Sequence, residues 1–592
     1  MTDQMNQIDA ILAEMTLAEK IGQMTQASND AITPDEVTEF GIGSVLSGGN
    51  GNPAPNTPRA WVDMVSAFAE AARQTRLGIP LLYGIDAVHG HGNVHGATIF
   101  PHNIGLGAAG DPELVERIGA ATRTEMMATG IHWAFAPTVA VPHDIRWGRT
   151  YEGYGRDTEL VSKTGAALIR GLQGTDPERL EVLACAKHFV GDGATTWGTA
   201  PRLDWVDWWD GWGDVWQIDQ GDARISEDEL RNTHLPPYRA AVDAGVATVM
   251  ASYNSWNGDK LHGHRRLLTD VLKGELGFEG FVISDWMGVD QLDPSYERSV
   301  VTAIDAGIDM VMVPNDFRRF IETMTAAVTS GQSPIARIDD AVRRILLAKE
   351  AVGLFDEPTH ARSLDVIGCA EHRAIAAEAV RRSAVLLKNS GALPLARSEG
   401  PVLVAGAAAD DIGLQCGGWT VGWQGGTGAT TPGTTLLDGL RASFGGDIAF
   451  DPSGDFDHEG RAGIGVVCIA ELPYAEGPGD SATVSARDED RAVFARMRER
   501  CDRLALVIYS GRPLAISDLI EQADAVVAAW LPGSEAGALG GLLAGRHDFE
   551  GTTPQPWPRS FDDLDNPSAS PLYPTGHGLV ATEDSSGTPA PR

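Results

Sequence analysis

Over the first 360 residues the order of apolar and polar positions repeats one unit: a short β-rich run ends in polar or charged residues, and a helical stretch follows. The runs are GSVLSGG (43–49), IPLLYGID (79–86), HWAFAPTV (132–139), VLACAKHF (182–189), ATVMASYN (247–254), GFVISD (280–285) and DMVMVP (309–314). Segments such as PELVERIGAATRTEMMATG and ISEDELRNTHLPPYRAAVDAG lie between them. Continuous apolar runs alternating with helices predict a parallel sheet with crossover helices. Seven runs, with an eighth expected but not identified, fit a (β/α)8 barrel better than an open sheet.

A second βα series follows: PVLVAGAAAD (401–410), GIGVVCIAE (463–471), RLALVIYSG (503–511) and AVVAAWLPG (525–533). It predicts a smaller α/β sandwich with a mostly parallel sheet. The expected division is a barrel over 1–358, a linker over 359–375, the sandwich over 376–580 and a disordered tail over 581–592.

Composition narrows the partners. The 46 basic and 81 acidic residues leave a net charge of −35, which repels nucleic acid and anionic membrane surfaces. The five cysteines have neither CxxC nor Cys/His ligand spacing, which favours a reducing compartment. The first 24 residues lack the basic start and apolar core of a secretory signal, and no run of about 20 apolar residues is present, so the reading is cytoplasmic.

Polar side chains recur where the first series of strands ends. Asp86, Lys187, His188, Tyr253, Asn254 and Asp285 all fall at the C-terminal ends of their runs. In barrels that face carries the active site, and a fold built for stability alone does not need polar groups there on strand after strand. Asp285 follows a buried run directly. An Asp in that position commonly caps the next helix, but Asp86, Arg149, Lys187 and His188 are expected to surround it. Nearby cations keep a carboxylate ionised, as a nucleophile requires. Mixed charges also suit a polyhydroxylated ligand, whose hydroxyls both donate and accept.

At the motif level DAVHGHGNVHGATIFPHNIGLG, APTVAVPHDIRWGRTYEGYGRD, ACAKHFVGDG, ASYNSWNG and GFVISDWMG resemble the glycoside hydrolase family 3 β-glucosidases and exo-β-glucanases. LLKNSGALPL, LQCGGWTVGWQGG, AELPYAEGPGD, IYSGRPL and AAWLPGSEAG continue the resemblance to about residue 580. It implies a cofactor-independent retaining enzyme that removes glucose from the non-reducing ends of β-glucosides and β-gluco-oligosaccharides. Asp285 would be the nucleophile, and Asp86, Arg149, Lys187, His188 and Tyr253 would hold the sugar. The acid/base would come from the second domain, where AELPYAEGPGD offers Glu471 and Glu476. Glu476 is preferred because the family's acid/base precedes a short Gly/Asp-containing turn, as Glu476 does, while Glu471 ends its β-run. Away from the cations, Glu476 is expected to keep a raised pKa by desolvation.

Trp286 and Trp423 match the pair that clamps the sugar in the leaving-group subsite of plant exo-glucanases, with Trp419 as the alternative to Trp423. The family also contains β-N-acetylglucosaminidases, with an Asp/His pair after a KHFPGHG segment. Here the segment reads KHFVGDG, without the second His. A non-catalytic glucan-binding protein is the remaining rival. Between KHFVGDG and IDQGDARISEDEL this chain departs from the family, with Trp197, Trp205, Trp208, Trp209, Trp212 and Trp216 close together. That insertion is read as an aromatic wall or lid near the barrel mouth, a subunit contact, or a self-packed loop. His89, His91, His95 and His102 do not have a helical metal-ligand spacing, so no metal is expected.

Overall fold

The computed structural model describes residues 2–176, 179–206, 216–356, 363–396, 400–457, 460–566 and 568–581. Residues 357–362, which include the start of the expected linker, and nearly all of the expected tail (582–592) lie outside the described residues. The chain forms two compact units. The first comprises residues 1–94, 115–141 and 165–367, and the second 95–114, 142–164 and 368–592. Two loops of the first half, 95–114 and 142–164, thus group with the second unit.

The first unit is built on eight parallel strands: β1 (Thr25–Ser28), β2 (Ser44–Ser47), β3 (Leu82–Ile85), β4 (Trp133–Ala134), β5 (Cys185–Phe189), β6 (Thr248–Ala251), β7 (Phe281–Ile283) and β8 (Val311–Met312). Ladders join β8 to β1, β1 to β2, β2 to β3 and β3 to β4, and likewise β5 to β6 and β6 to β7. Single bridges, Trp133 to Leu183 and Ile283 to Met310, close the remaining two gaps. The result is the expected (β/α)8 barrel. The strand not identified from sequence is β1, TQAS, whose polar side chains are buried: Gln26 Nε2 donates to Ser44 Oγ at 2.8 Å.

Crossover helices such as Pro58–Arg73 and Tyr296–Ala306 connect successive strands. The helical segment 225–245 is composite: Glu227–Glu229, a wide turn at Leu230–His234, then Pro236–Asp243. Pro236 and Pro237 carry no N–H to donate back along the helix, and the break falls just before them.

The second unit carries a six-stranded sheet. Its strands are β9 (Val385–Asn389), β10 (Val402–Ala405), β11 (Ile448–Asp451), β12 (Ala462–Ala470), β13 (Cys501–Tyr509) and β14 (Ala525–Trp530). Their order is β9-β14-β13-β12-β10-β11, parallel except for β9, which runs antiparallel to β14. Leu386, Val404, Val466, Val507 and Val527 share one core with the helix Leu436–Phe444. Among the described residues no helix is long and apolar enough to cross a membrane.

Candidate active site

Strand geometry delivers the first cluster. Asp86 lies one residue past β3, Lys187 and His188 lie within the last part of β5, and Tyr253 and Asp285 lie two residues past β6 and β7. Lys187 Nζ donates to Asp86 Oδ1 at 3.0 Å. His188 bridges two carboxylates, with Nδ1 3.0 Å from Asp192 Oδ2 and Nε2 3.6 Å from Asp285 Oδ2. The other oxygen of Asp285, Oδ1, accepts the Trp286 N–H at 2.8 Å. Tyr253 donates its hydroxyl to the Trp286 carbonyl at 2.6 Å, which ties two strand tips together. Asn254, at the same strand tip as Tyr253, donates its side-chain amide to the Ser255 carbonyl at 2.9 Å.

A polar network supports the cluster. Lys260 Nζ donates to the Tyr253 carbonyl at 2.6 Å and to Gln291 Oε1 at 2.8 Å, and Gln291 Nε2 donates to Gln220 Oε1. Burial pushes the Lys260 ammonium down to about 7. Neither Lys260 nor His262, which accepts the Asp285 N–H at 2.9 Å, stands out in the sequence. Both sit in the polar stretch NGDKLHGH, which reads simply as a loop.

The described flanks of the Trp-rich insertion pack next to the same strand tip. Val206 and Trp216 form a small apolar cluster with Leu203, Ala200 and Met287, the last two residues beyond Asp285. Trp205, largely exposed, donates its indole N–H to the Asp290 carbonyl at 3.1 Å. Residues 207–215, with Trp208, Trp209 and Trp212, lie outside the described residues.

The second unit holds Glu471, Glu476, Arg149, Trp419 and Trp423. Glu471 accepts from Arg512 Nε (3.0 Å), the Tyr474 hydroxyl (2.9 Å) and the Gly511 N–H (3.0 Å). Arg512 also donates to the carbonyls of Gly479 and Arg146 and stacks on the Tyr474 ring at 4.8 Å. These bonds fix both ends of the loop that carries Glu476. Glu476 itself has φ 58° and ψ −145°, a conformation costly for any residue but glycine. Gly148 allows the loop its position, since a Cβ there would lie 2.1 Å from the Glu476 carbonyl oxygen. The Gln424 side chain exchanges two hydrogen bonds with the backbone of Ala475, just before Glu476.

One expectation is overturned here. Glu476 is not away from cations: Arg149 Nη1 donates to its Oε1 at 3.0 Å. The cause is that WGRTYEGYG groups with the second unit, where Gly148 N–H bonds Asp480 and the Tyr151 hydroxyl bonds the Tyr474 carbonyl. Arg149 also grips Glu152 through Nε (3.0 Å) and Nη2 (2.9 Å). The Trp419 indole donates to that same, fully buried Glu152 at 3.1 Å. Trp419 is buried, whereas Trp423 is half-buried. Of the histidines considered as metal ligands, His91 Nε2 bonds Thr129 Oγ1 and His102 Nε2 bonds the Gly418 carbonyl.

Residues 16–206 and 213–348 match the glycosyl hydrolase family 3 N-terminal domain, and residues 384–580 match the family 3 C-terminal domain. A lysosomal beta glucosidase of Dictyostelium discoideum is 33% identical over 97% of this chain and 76% of its own. A periplasmic beta-glucosidase of Salmonella typhimurium is 30% identical over 97% of this chain and 80% of its own. Among solved structures, the exo-1,3/1,4-beta-glucanase ExoP of a Pseudoalteromonas species superimposes with a TM-score of 0.90 at 38% identity, covering 98% of this chain and 74% of that one. A beta-glucosidase of Listeria innocua in complex with laminaribiose gives 0.82 at 26% identity, covering 98% and 83%.

Proposed function

The chain belongs to glycosyl hydrolase family 3, and on that premise we propose that it is an exo-acting β-glucosidase or exo-β-glucanase working by double displacement, with Asp285 as nucleophile and Glu476 as acid/base. The observation that carries this reading is the setting of Asp285. A largely buried carboxylate ends a barrel strand, with one oxygen held by the Trp286 N–H and the other facing His188. Those contacts favour its ionised form, the form that attacks. In the first step Asp285 bonds to the anomeric carbon while the glycosidic C–O bond breaks, and Glu476 gives its proton to the departing oxygen. Water then attacks the same carbon, Glu476 takes the water's proton, and the Asp285 ester bond breaks.

Asp86, Lys187, His188 and Tyr253 offer the mixture of donors and acceptors that sugar hydroxyls need. Arg149 is assigned to the same ligand as a substrate-binding group, and Trp286 and Trp423 as the aromatic walls of the leaving-group subsite. Glu476 is favoured over Glu471 because the latter's carboxylate is already occupied by Arg512, Tyr474 and Gly511. A general acid must start protonated, and a guanidinium opposes that. Glu152 offsets this by taking Nε and Nη2 of the Arg149 fork, while Nη1 reaches Glu476.

A panel of gluco-disaccharides and of laminari- and cello-oligosaccharides, followed by NMR, tests the reading. Glucose released first as the β-anomer is expected. Initial α-glucose, or no cleavage of any β-glucoside, would overturn it.

A further inference from the structure

His262 has no part in the chemistry described above, yet its ring is almost completely buried beneath the strand tip that carries Asp285. It lies in a short helical turn, Leu261–Gly263, eleven residues beyond β6. Its Nε2 accepts the backbone N–H of Asp285 at 2.9 Å. Its ring also packs against that of Tyr253, with the two centroids 6.0 Å apart. Accepting the Asp285 N–H places the lone pair on Nε2 and, in the neutral ring, the proton on Nδ1. Burial, with Lys260 nearby, pushes the imidazole down to about 3, so the lone pair persists across the working range of pH.

The turn after Asp285 is built directly on this ring. Gly288 N–H bonds the Asp285 carbonyl at 3.0 Å, and Met287 is held at φ 51°. A Cβ on Gly288 would lie 2.4 Å from His262 Nε2, so the backbone there touches the imidazole. The two amides that bracket Asp285 are therefore both taken: its own by His262 and that of Trp286 by the carboxylate itself. With both held, the direction of the Cα–Cβ bond and the tilt of the carboxylate are set before any sugar arrives.

We infer that His262 is a positioning residue, which fixes the Asp285 carboxylate and the Tyr253 strand tip in one geometry through a neutral Nε2 acceptor. This rests on Asp285 being the nucleophile. The reach of glutamine places an acceptor near the Nε2 position, asparagine stops short of it, and methionine supplies none.

With an aryl β-glucoside, His262→Met is expected to lower kcat about ten- to a hundredfold, the loss typical of an ångström-scale misplacement, with KM within about twofold of wild type. His262→Gln is expected to restore kcat to within about threefold, because preorganisation returns with the acceptor. His262→Asn is expected to behave like the Met variant and takes its place if that one does not fold. Thermal midpoints measured alongside separate positioning from stability. Folded Met and Asn variants with wild-type kcat would overturn the inference, as would parallel changes in kcat and KM that Gln does not rescue. A wild-type enzyme inactive on every β-glucoside would instead overturn the proposed function.

Discussion

Arg149 and Glu476, 327 positions apart in the chain, meet with Nη1 donating to Oε1 at 3.0 Å. The proposed acid/base therefore carries a cation on its carboxylate, and the buried Glu152 competes for that cation through two further bonds.

Glu152→Gln removes the competing charge and leaves the full Arg149 cation facing Glu476. An unopposed guanidinium favours the ionised carboxylate, so the alkaline limb of the pH–kcat profile is expected to move to lower pH. A profile unchanged from wild type would show that Glu152 does not tune the acid.

Removing the acid itself separates the two candidate glutamates. Glu476→Ala is expected to lower kcat on oligosaccharides by about 10²–10⁴, the usual contribution of general acid catalysis. Added azide is expected to restore turnover of an activated aryl glucoside and yield a glucosyl azide. Glu471→Gln leaves Arg512 under-paired in a buried site. Its main expected effect is a lower thermal midpoint, without azide rescue. Azide rescue of the Glu471 variant in place of the Glu476 variant would reverse the assignment.

Much of this was legible in the residue order, for physical reasons that differ from part to part. Seven barrel strands announce themselves as apolar runs because their side chains enter apolar layers. TQAS does not, since its buried side chains are polar and Gln26 donates to Ser44 inside the barrel wall. Asp86, Lys187, His188, Tyr253 and Asp285 could be placed on one face because strand ends in a parallel barrel share an end by construction. The Arg149–Glu476 pair could not, because it depends on loop 142–164 joining the second unit. Nor could His262, whose role lies in accepting a backbone N–H, a contact that leaves no periodic signature.

Acid sensitivity follows from the buried histidines. Burial pushes both His91 and His262 down to about 3, against about 6.5 in the unfolded chain. Between those values the unfolded chain binds the extra protons, so stability falls as pH drops through 6.5 and keeps falling towards 3. Each group costs up to about 2 kcal/mol between pH 6.5 and 5, before most carboxylates protonate. The thermal midpoint is expected to fall over that window, and less steeply in His91→Gln. Equal slopes for the two proteins would contradict the assignment of a neutral buried His91.

The Trp-rich insertion is expected to act on substrate length. Trp205, fixed by Asp290 and largely exposed, offers a stacking face close to the strand tip of Asp285. Trp205→Ala is expected to lower kcat/KM for tri- and tetrasaccharides by about two- to tenfold, the range for one aromatic contact, and to spare an aryl glucoside. Equal effects on long and short substrates would remove the insertion from substrate binding.

The most direct test concerns Asp285. A fluorinated aryl β-glucoside that forms its glycosyl-enzyme quickly and loses it slowly should inactivate the protein. Peptide mass spectrometry is expected to find one sugar attached at Asp285, and Asp285→Asn is expected to be folded, inactive and unlabelled. A sugar attached at another residue, or steady turnover by folded Asp285→Asn, would contradict the assignment of Asp285 as nucleophile.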